Sequence, residues 1–177
     1  KNATRKDSVT PFIVHPARVA SLTTSVSAPY QVVCAAWLHD VLEDTKFTYH
    51  DLELILNQTI SSNTDAHQIL QLVAALTKDE SKDRYGKLNS TICKISQLNL
   101  KNQYYATTIK LADCIDNLLI LDGVSTNFMI HHYIPETEYL FSELQKHPEN
   151  INNILSNKLR LLLNKRKDQY GIQNTSS

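Results

Sequence analysis

Between Ala35 and Thr45 the chain reads AAWLHDVLEDT, which sets His39, Asp40, Glu43 and Asp44 among Trp37, Leu38, Val41 and Leu42. No Lys or Arg falls between Arg18 and Lys46, so these carboxylates have no basic neighbour along the chain. On one continuous helix advancing about 100° per residue, His39, Glu43, Asp40 and Asp44 fall at about 0°, 40°, 100° and 140°. They share a face, with Ala36 leaving room beneath it and the large apolar residues, Trp37 included, reading as core. Carboxylates gathered beside an apolar surface need a cation to offset desolvation and mutual repulsion. A divalent metal meets that need.

A tight metal site draws ligands from more than one element. His15, in TPFIVHPARVA, lies between an apolar run and a helix-starting Pro16. Asp113, in IKLADCIDNLLIL, sits in an apolar helix on which Lys110, Asp113 and Asn117 fall within about 60° of one another. Two imidazoles and two carboxylates without a thiolate favour Mn²⁺, with Fe²⁺, Co²⁺ or Zn²⁺ as alternatives. Four protein ligands on a six-coordinate ion leave places for water and a substrate oxygen, which is the arrangement of a hydrolytic centre.

The elements that must position these residues are helical. The three glycines, Gly86, Gly123 and Gly171, build no phosphate-cradling loop, and apolar residues recur at helical spacing nearly throughout the 177 residues. The pattern predicts one all-α domain over 1–177. Pro16 suits the first turn of one helix, and Pro29 opens the next, which carries the quoted stretch to about residue 44. Thr48 with Asp51 reads as a capping box. Further helices are expected over 64–76, 87–98, 102–121, 128–147 and 151–167. The segment TKDESKDRYGK, 77–87, is the candidate substrate loop, its alternative being a solvated connection.

Eighteen basic residues balance eighteen acidic ones, which argues against a nucleic-acid coat or a polybasic membrane anchor. No apolar run approaches membrane-spanning length, the opening KNATRKDSVTPF lacks the apolar core of a secretory signal, and a cytoplasmic protein is expected. Cys34, Cys93 and Cys114 form no CxxC pair and read as small core residues. Position 1 is Lys rather than Met, so the natural chain is expected to begin upstream, with a further N-terminal helix as one option. Nothing in the residues sets the oligomeric state.

The order His15, His39-Asp40, Asp113 resembles the HD phosphohydrolase superfamily. A lone HD dipeptide carries little. HDxxED preceded by P-F-I-x-H-P and followed by K-L-A-D is far more specific. RKDSVTPFIVHPARVA, AAWLHDVLEDT and IKLADCIDNL are similar to the three signature boxes of the RelA/SpoT hydrolase domain, over about residues 5–121. The closing helices, about 128–168, and the lack of an appended synthetase make the chain most similar to the stand-alone small alarmone hydrolases.

The resemblance implies a compact helical HD bundle that removes the 3′-pyrophosphate of (p)ppGpp with Mn²⁺ held by His15, His39, Asp40 and Asp113. It implies that Glu43 and Asp44 are the catalytic acidic pair, either of them able to serve as general base. It further implies that Arg5 and Lys6 approach the guanine, that Asn117 contacts the sugar and that Tyr139 meets the substrate. Lys82, Arg84 and Lys87 would reach phosphates. The family commonly follows K-L-A-D with a basic residue and then His or Tyr, where this chain has Cys114 and Asp116. Pro135 takes the place of a basic neighbour of Tyr139. Two other functions stay open: an HD phosphatase of another nucleotide, such as a nucleoside monophosphate or the 2′-phosphate of NADPH, and a nucleotide-sensing domain without turnover.

Overall fold

The computed structural model describes residues 11–79, 83–119 and 125–172. Arg5, Lys6 and Lys82 lie outside them. The regular elements among the described residues are all helical: α1 (Val14–Ser25), α2 (Tyr30–Leu38), α3 (Val41–Asp44), α4 (Tyr49–Thr59), α5 (Asn63–Leu76), α6 (Arg84–Ser96), α7 (Leu100–Leu119), α8 (Thr126–Phe128), α9 (Ile134–Gln145) and α10 (Asn153–Tyr170).

Local chemistry sets most boundaries. Thr48 and Asp51 form the expected capping box at the start of α4. The Asn152 side chain accepts from the backbone of Ile154 and Leu155 to open α10, and Gly171 closes that helix at φ +66°, a left-handed conformation that glycine adopts without strain. The single helix expected over 128–147 is divided instead. Pro135 has no N–H to offer the carbonyl one turn back, and the turn before it, Met129–Tyr133, widens into a π-helix.

Helix α7 is the axis of the bundle. From Ala106 to Asp116 every residue is buried, the pattern of a helix packed on all sides. Helix α1 packs on α2 and α7, α2 on α5, and α10 on α7 from the far side. Val19, Val32, Ile69, Val73, Ile109 and Ile115 meet in the fully enclosed centre. Because α7 is surrounded over this stretch, its three buried charged residues Lys110, Asp113 and Asp116 must find partners inside the protein.

Two expectations about burial need correction. Trp37 is 42% exposed, since α2 ends one residue later and its outer face carries the indole. Cys93 is exposed and Cys34 partly so; Cys114 alone of the three is fully buried, and burial pushes its thiol up to about 12.

Candidate metal centre

The HD segment is not one continuous helix. Helix α2 ends at Leu38, His39 is its C-cap, and Asp40, at φ −99° and ψ 0°, occupies the bridge region before the short α3. Side chains adjacent on an unbroken helix diverge by about 100°. The break removes that divergence: His39 Nε2 and Asp40 Oδ2 lie 3.2 Å apart. One face of one helix was therefore the wrong picture for these two residues; the turn between α2 and α3 brings them together instead.

Helices α1 and α7 bring the other two residues to the same place. His15 Nε2 is 3.4 Å from Asp40 Oδ2 and 3.2 Å from Asp113 Oδ1. The two imidazoles meet edge to face with centroids 5.1 Å apart. One donor atom from each of His15, His39 and Asp113 lies within 4.8 Å of the others, the spacing of a site that can hold a metal ion. Asp40 borders the same point.

Hydrogen bonds at the back of each ring aim its front. His39 Nδ1 lies 2.7 Å from the carbonyl of Ala36, so Nδ1 donates and Nε2 is turned toward the carboxylates. That Nε2 is buried with no hydrogen-bond partner among the described residues. A bare imidazole lone pair facing two carboxylates is repulsive without a cation between them. This donor set fits a divalent ion with mixed nitrogen and oxygen ligands.

The same carboxylates that face the donor atoms also favour a charged imidazole. Burial disfavours a charged His15, but the Asp113, Asp116 and Asp40 carboxylates override it and push its pKa up to about 11. His39 is raised in the same way, burial being outweighed chiefly by Asp40. Burial likewise opposes the charge on Asp40 and Asp113, yet Asp40 is held well below the ordinary carboxylate range by the two imidazoles. Asp113 is held low mainly by Lys110. Lys110 Nζ donates to Asp113 Oδ2 at 2.8 Å and Asn117 Nδ2 to Oδ1 at 2.6 Å, as their shared face on α7 predicted.

Glu43 and Asp44 follow on α3. The backbone N–H of Lys78 donates to Glu43 Oε1 at 2.6 Å and its ammonium to Oε2 at 2.9 Å. Lys94 Nζ in turn donates to the carbonyl of Thr77 at 2.7 Å, which steadies the start of the irregular segment. Partial burial, with the Asp40 and Glu43 carboxylates nearby, raises the pKa of Asp44.

Other candidates lie elsewhere or are already engaged. Tyr139 donates to Asn89 Oδ1 at 2.5 Å and packs on the edge of Tyr85, between α6 and α9. Arg84 is paired with Glu136 and covers the Phe128 ring. Three partners of the site escaped sequence reasoning: Asp116, Arg18 and Lys78. Asp116 accepts from His15 Nδ1 and from Arg18 Nε, each at 2.7 Å. The spacing His15 to Arg18 and Asp113 to Asp116, one turn each, was the signal available for the first two.

With this geometry in hand, relatives can be set beside it. No family model matches the chain. The bifunctional (p)ppGpp synthase/hydrolase SpoT of Escherichia coli is 28% identical over 114 residues, 64% of this chain and 15% of that protein. A probable guanosine-3′,5′-bis(diphosphate) 3′-pyrophosphohydrolase of Mycoplasma pneumoniae is 32% identical over 118 residues, 61% of this chain and 15% of the relative. A solved metazoan ortholog of SpoT that hydrolyses ppGpp superposes with TM-score 0.69 at 25% identity, over 94% of this chain and 85% of the other. The chain is similar to SpoT-type hydrolases in sequence and in fold. A Listeria monocytogenes protein, lmo0812, shares the fold at 21% identity, with TM-score 0.64 over 91% of this chain and 96% of its own. The chain thus spans only a small part of the long curated relatives but nearly the whole of the small solved ones. No helix among the described residues is long and apolar enough to cross a membrane.

Proposed function

We propose that the protein is a Mn²⁺-dependent hydrolase that removes the 3′-pyrophosphate of (p)ppGpp, releasing pyrophosphate and GDP or GTP. The observation that carries this reading is the convergence of His15, His39, Asp40 and Asp113 from three separate stretches of chain, with Glu43 one turn beyond His39. The likeness to SpoT-type proteins supports the substrate.

His15, His39, Asp40 and Asp113 would hold the ion, which when bound lowers the pKa of a water and polarises a phosphoryl oxygen. Glu43 is the first choice for accepting the water's proton. Lys78 holds both of its oxygens, and each oxygen keeps a second lone pair for the water. Asp44, whose affinity for a proton is raised, is its partner in moving that proton. The water oxygen bonds to the 3′-linked phosphorus, the bond from that phosphorus to the ribose oxygen breaks, and the ribose oxygen takes up a proton. Asn117, one turn past Asp113, would meet the sugar. Arg5 and Lys6 would meet the base, and Lys87 would reach a phosphate.

The test is product analysis. Protein loaded with Mn²⁺ should release pyrophosphate from ppGpp, and Asp113→Ala should abolish release. Survival of ppGpp while another nucleotide is dephosphorylated would replace the substrate and keep the reaction class. Survival of every nucleotide under saturating Mn²⁺ would favour a sensing domain and overturn the proposal.

A further inference from the structure

We infer that Asp116, braced by Arg18, fixes the tautomer in which His15 presents an unprotonated Nε2 to the ion, an inference that rests on the metal reading above. Asp116 is 1% exposed, lies one helical turn beyond Asp113 on α7, and faces two donors from successive turns of α1. Its Oδ1 accepts from Arg18 Nε and its Oδ2 from His15 Nδ1, both at 2.7 Å. A guanidinium can only donate, and a carboxylate can only accept. The proton of a neutral His15 must therefore sit on Nδ1. Its Nε2 lone pair is then directed toward Asp40 and Asp113, at 3.4 and 3.2 Å.

Arg18 has a second role. A carboxylate this deeply buried is costly unless paired, and the half-exposed Arg18 supplies the charge without competing for the ion. Arg18 stands one turn after His15 on α1, as Asp116 stands one turn after Asp113 on α7. Asp116 is a positioning residue: it acts on the ion through His15.

The arrangement makes an uncommon prediction about Asp116→Asn. Asparagine has one acceptor oxygen, and the permanently charged Arg18 claims it. The amide NH₂ then faces His15 Nδ1, which must turn acceptor, and the ring proton moves to Nε2, where it blocks coordination. Mn²⁺ affinity measured by calorimetry should fall about 10- to 100-fold, the usual loss when a ligand histidine is deprived of its partner. Replacing Arg18 takes away the donor that claims the oxygen at Oδ1, so Arg18→Met/Asp116→Asn should bind Mn²⁺ more tightly than Asp116→Asn alone. A role confined to packing predicts the reverse, since both losses would then accumulate.

Binding by Asp116→Asn within about threefold of the parent, or a double variant weaker than the single one, overturns the inference and leaves the metal site intact. Failure of the unsubstituted protein to bind Mn²⁺ overturns the metal reading and this inference together, and is seen in that first titration. A measurement independent of folding in the variants is ring-nitrogen NMR of the unsubstituted protein loaded with diamagnetic Zn²⁺. His15 should show a protonated Nδ1 and a metal-shifted Nε2, and the opposite assignment refutes the role of Asp116.

Discussion

At the scale of single residues, the site separates groups that would hold an ion from groups that would move a proton. His15, His39, Asp40 and Asp113 face one another across less than 4 Å, whereas both oxygens of Glu43 are held by Lys78. Glu43→Gln should therefore leave Mn²⁺ affinity within about threefold while lowering kcat by about 10²- to 10⁴-fold, the range for loss of a general base. Parallel calorimetry and turnover measurements check this, and equal losses in both would place Glu43 among the ligands. The chain alone offered these residues as candidates, because three short motifs set them in order. Their partners were not. Whether Asp116 meets His15, or Lys78 meets Glu43, depends on how α1 sits on α7 and how the chain returns after α5, and neither follows from spacing along one helix.

At the scale of elements, the bundle uses its most buried helix to carry charge. Helix α7 presents Lys110, Asp113 and Asp116 to α1 and the HD turn, and α10 covers its other side. The start of α10 is secured by Asn152, which caps two backbone N–H groups and donates to the Tyr104 hydroxyl on α7 at 2.9 Å. Asn152→Ala should cost about 1–2 kcal/mol, the usual loss for an N-cap. For a chain of this size that lowers the melting temperature by roughly 2–8 °C. Pyrophosphate release at 25 °C should not change, because the cap lies on the side of α7 away from the site. A cap, a proline or a periodic apolar face is local, so the chain alone locates most of these helices. The break at His39-Asp40 was not foreseen, because the stretch holds neither Gly nor Pro to mark it. Packing selects the kink that lets both side chains converge.

At the scale of the whole molecule, charge in the site links stability to pH. His15 binds its proton far more tightly in the folded protein, up to about 11, than in the unfolded chain, where an ordinary value of about 6.5 applies. Between those values the folded state holds more protons, so the stability of the metal-free protein should fall as pH rises from about 6.5 toward 11. Asp40 and Asp113 act at the other end: their depressed values contribute stability above about 4 that is lost in acid. With Mn²⁺ bound, His15 must be neutral, so the alkaline slope should flatten and binding should release protons. Urea titrations across pH with and without Mn²⁺ check this, and identical slopes in the two forms would show that His15 does not meet the ion. All-helical architecture and balanced charge could be read from composition and periodicity. This coupling could not, because it arises only where three stretches of chain meet.

The central claim concerns a single point in space between α1, the HD turn and α7. Crystals soaked in Mn²⁺ and measured for anomalous scattering at the manganese edge test it most directly. One strong peak within coordination distance of His15 Nε2, His39 Nε2, Asp40 and Asp113 is the predicted result. No peak there in well-ordered crystals, or a peak held by other side chains, would contradict it.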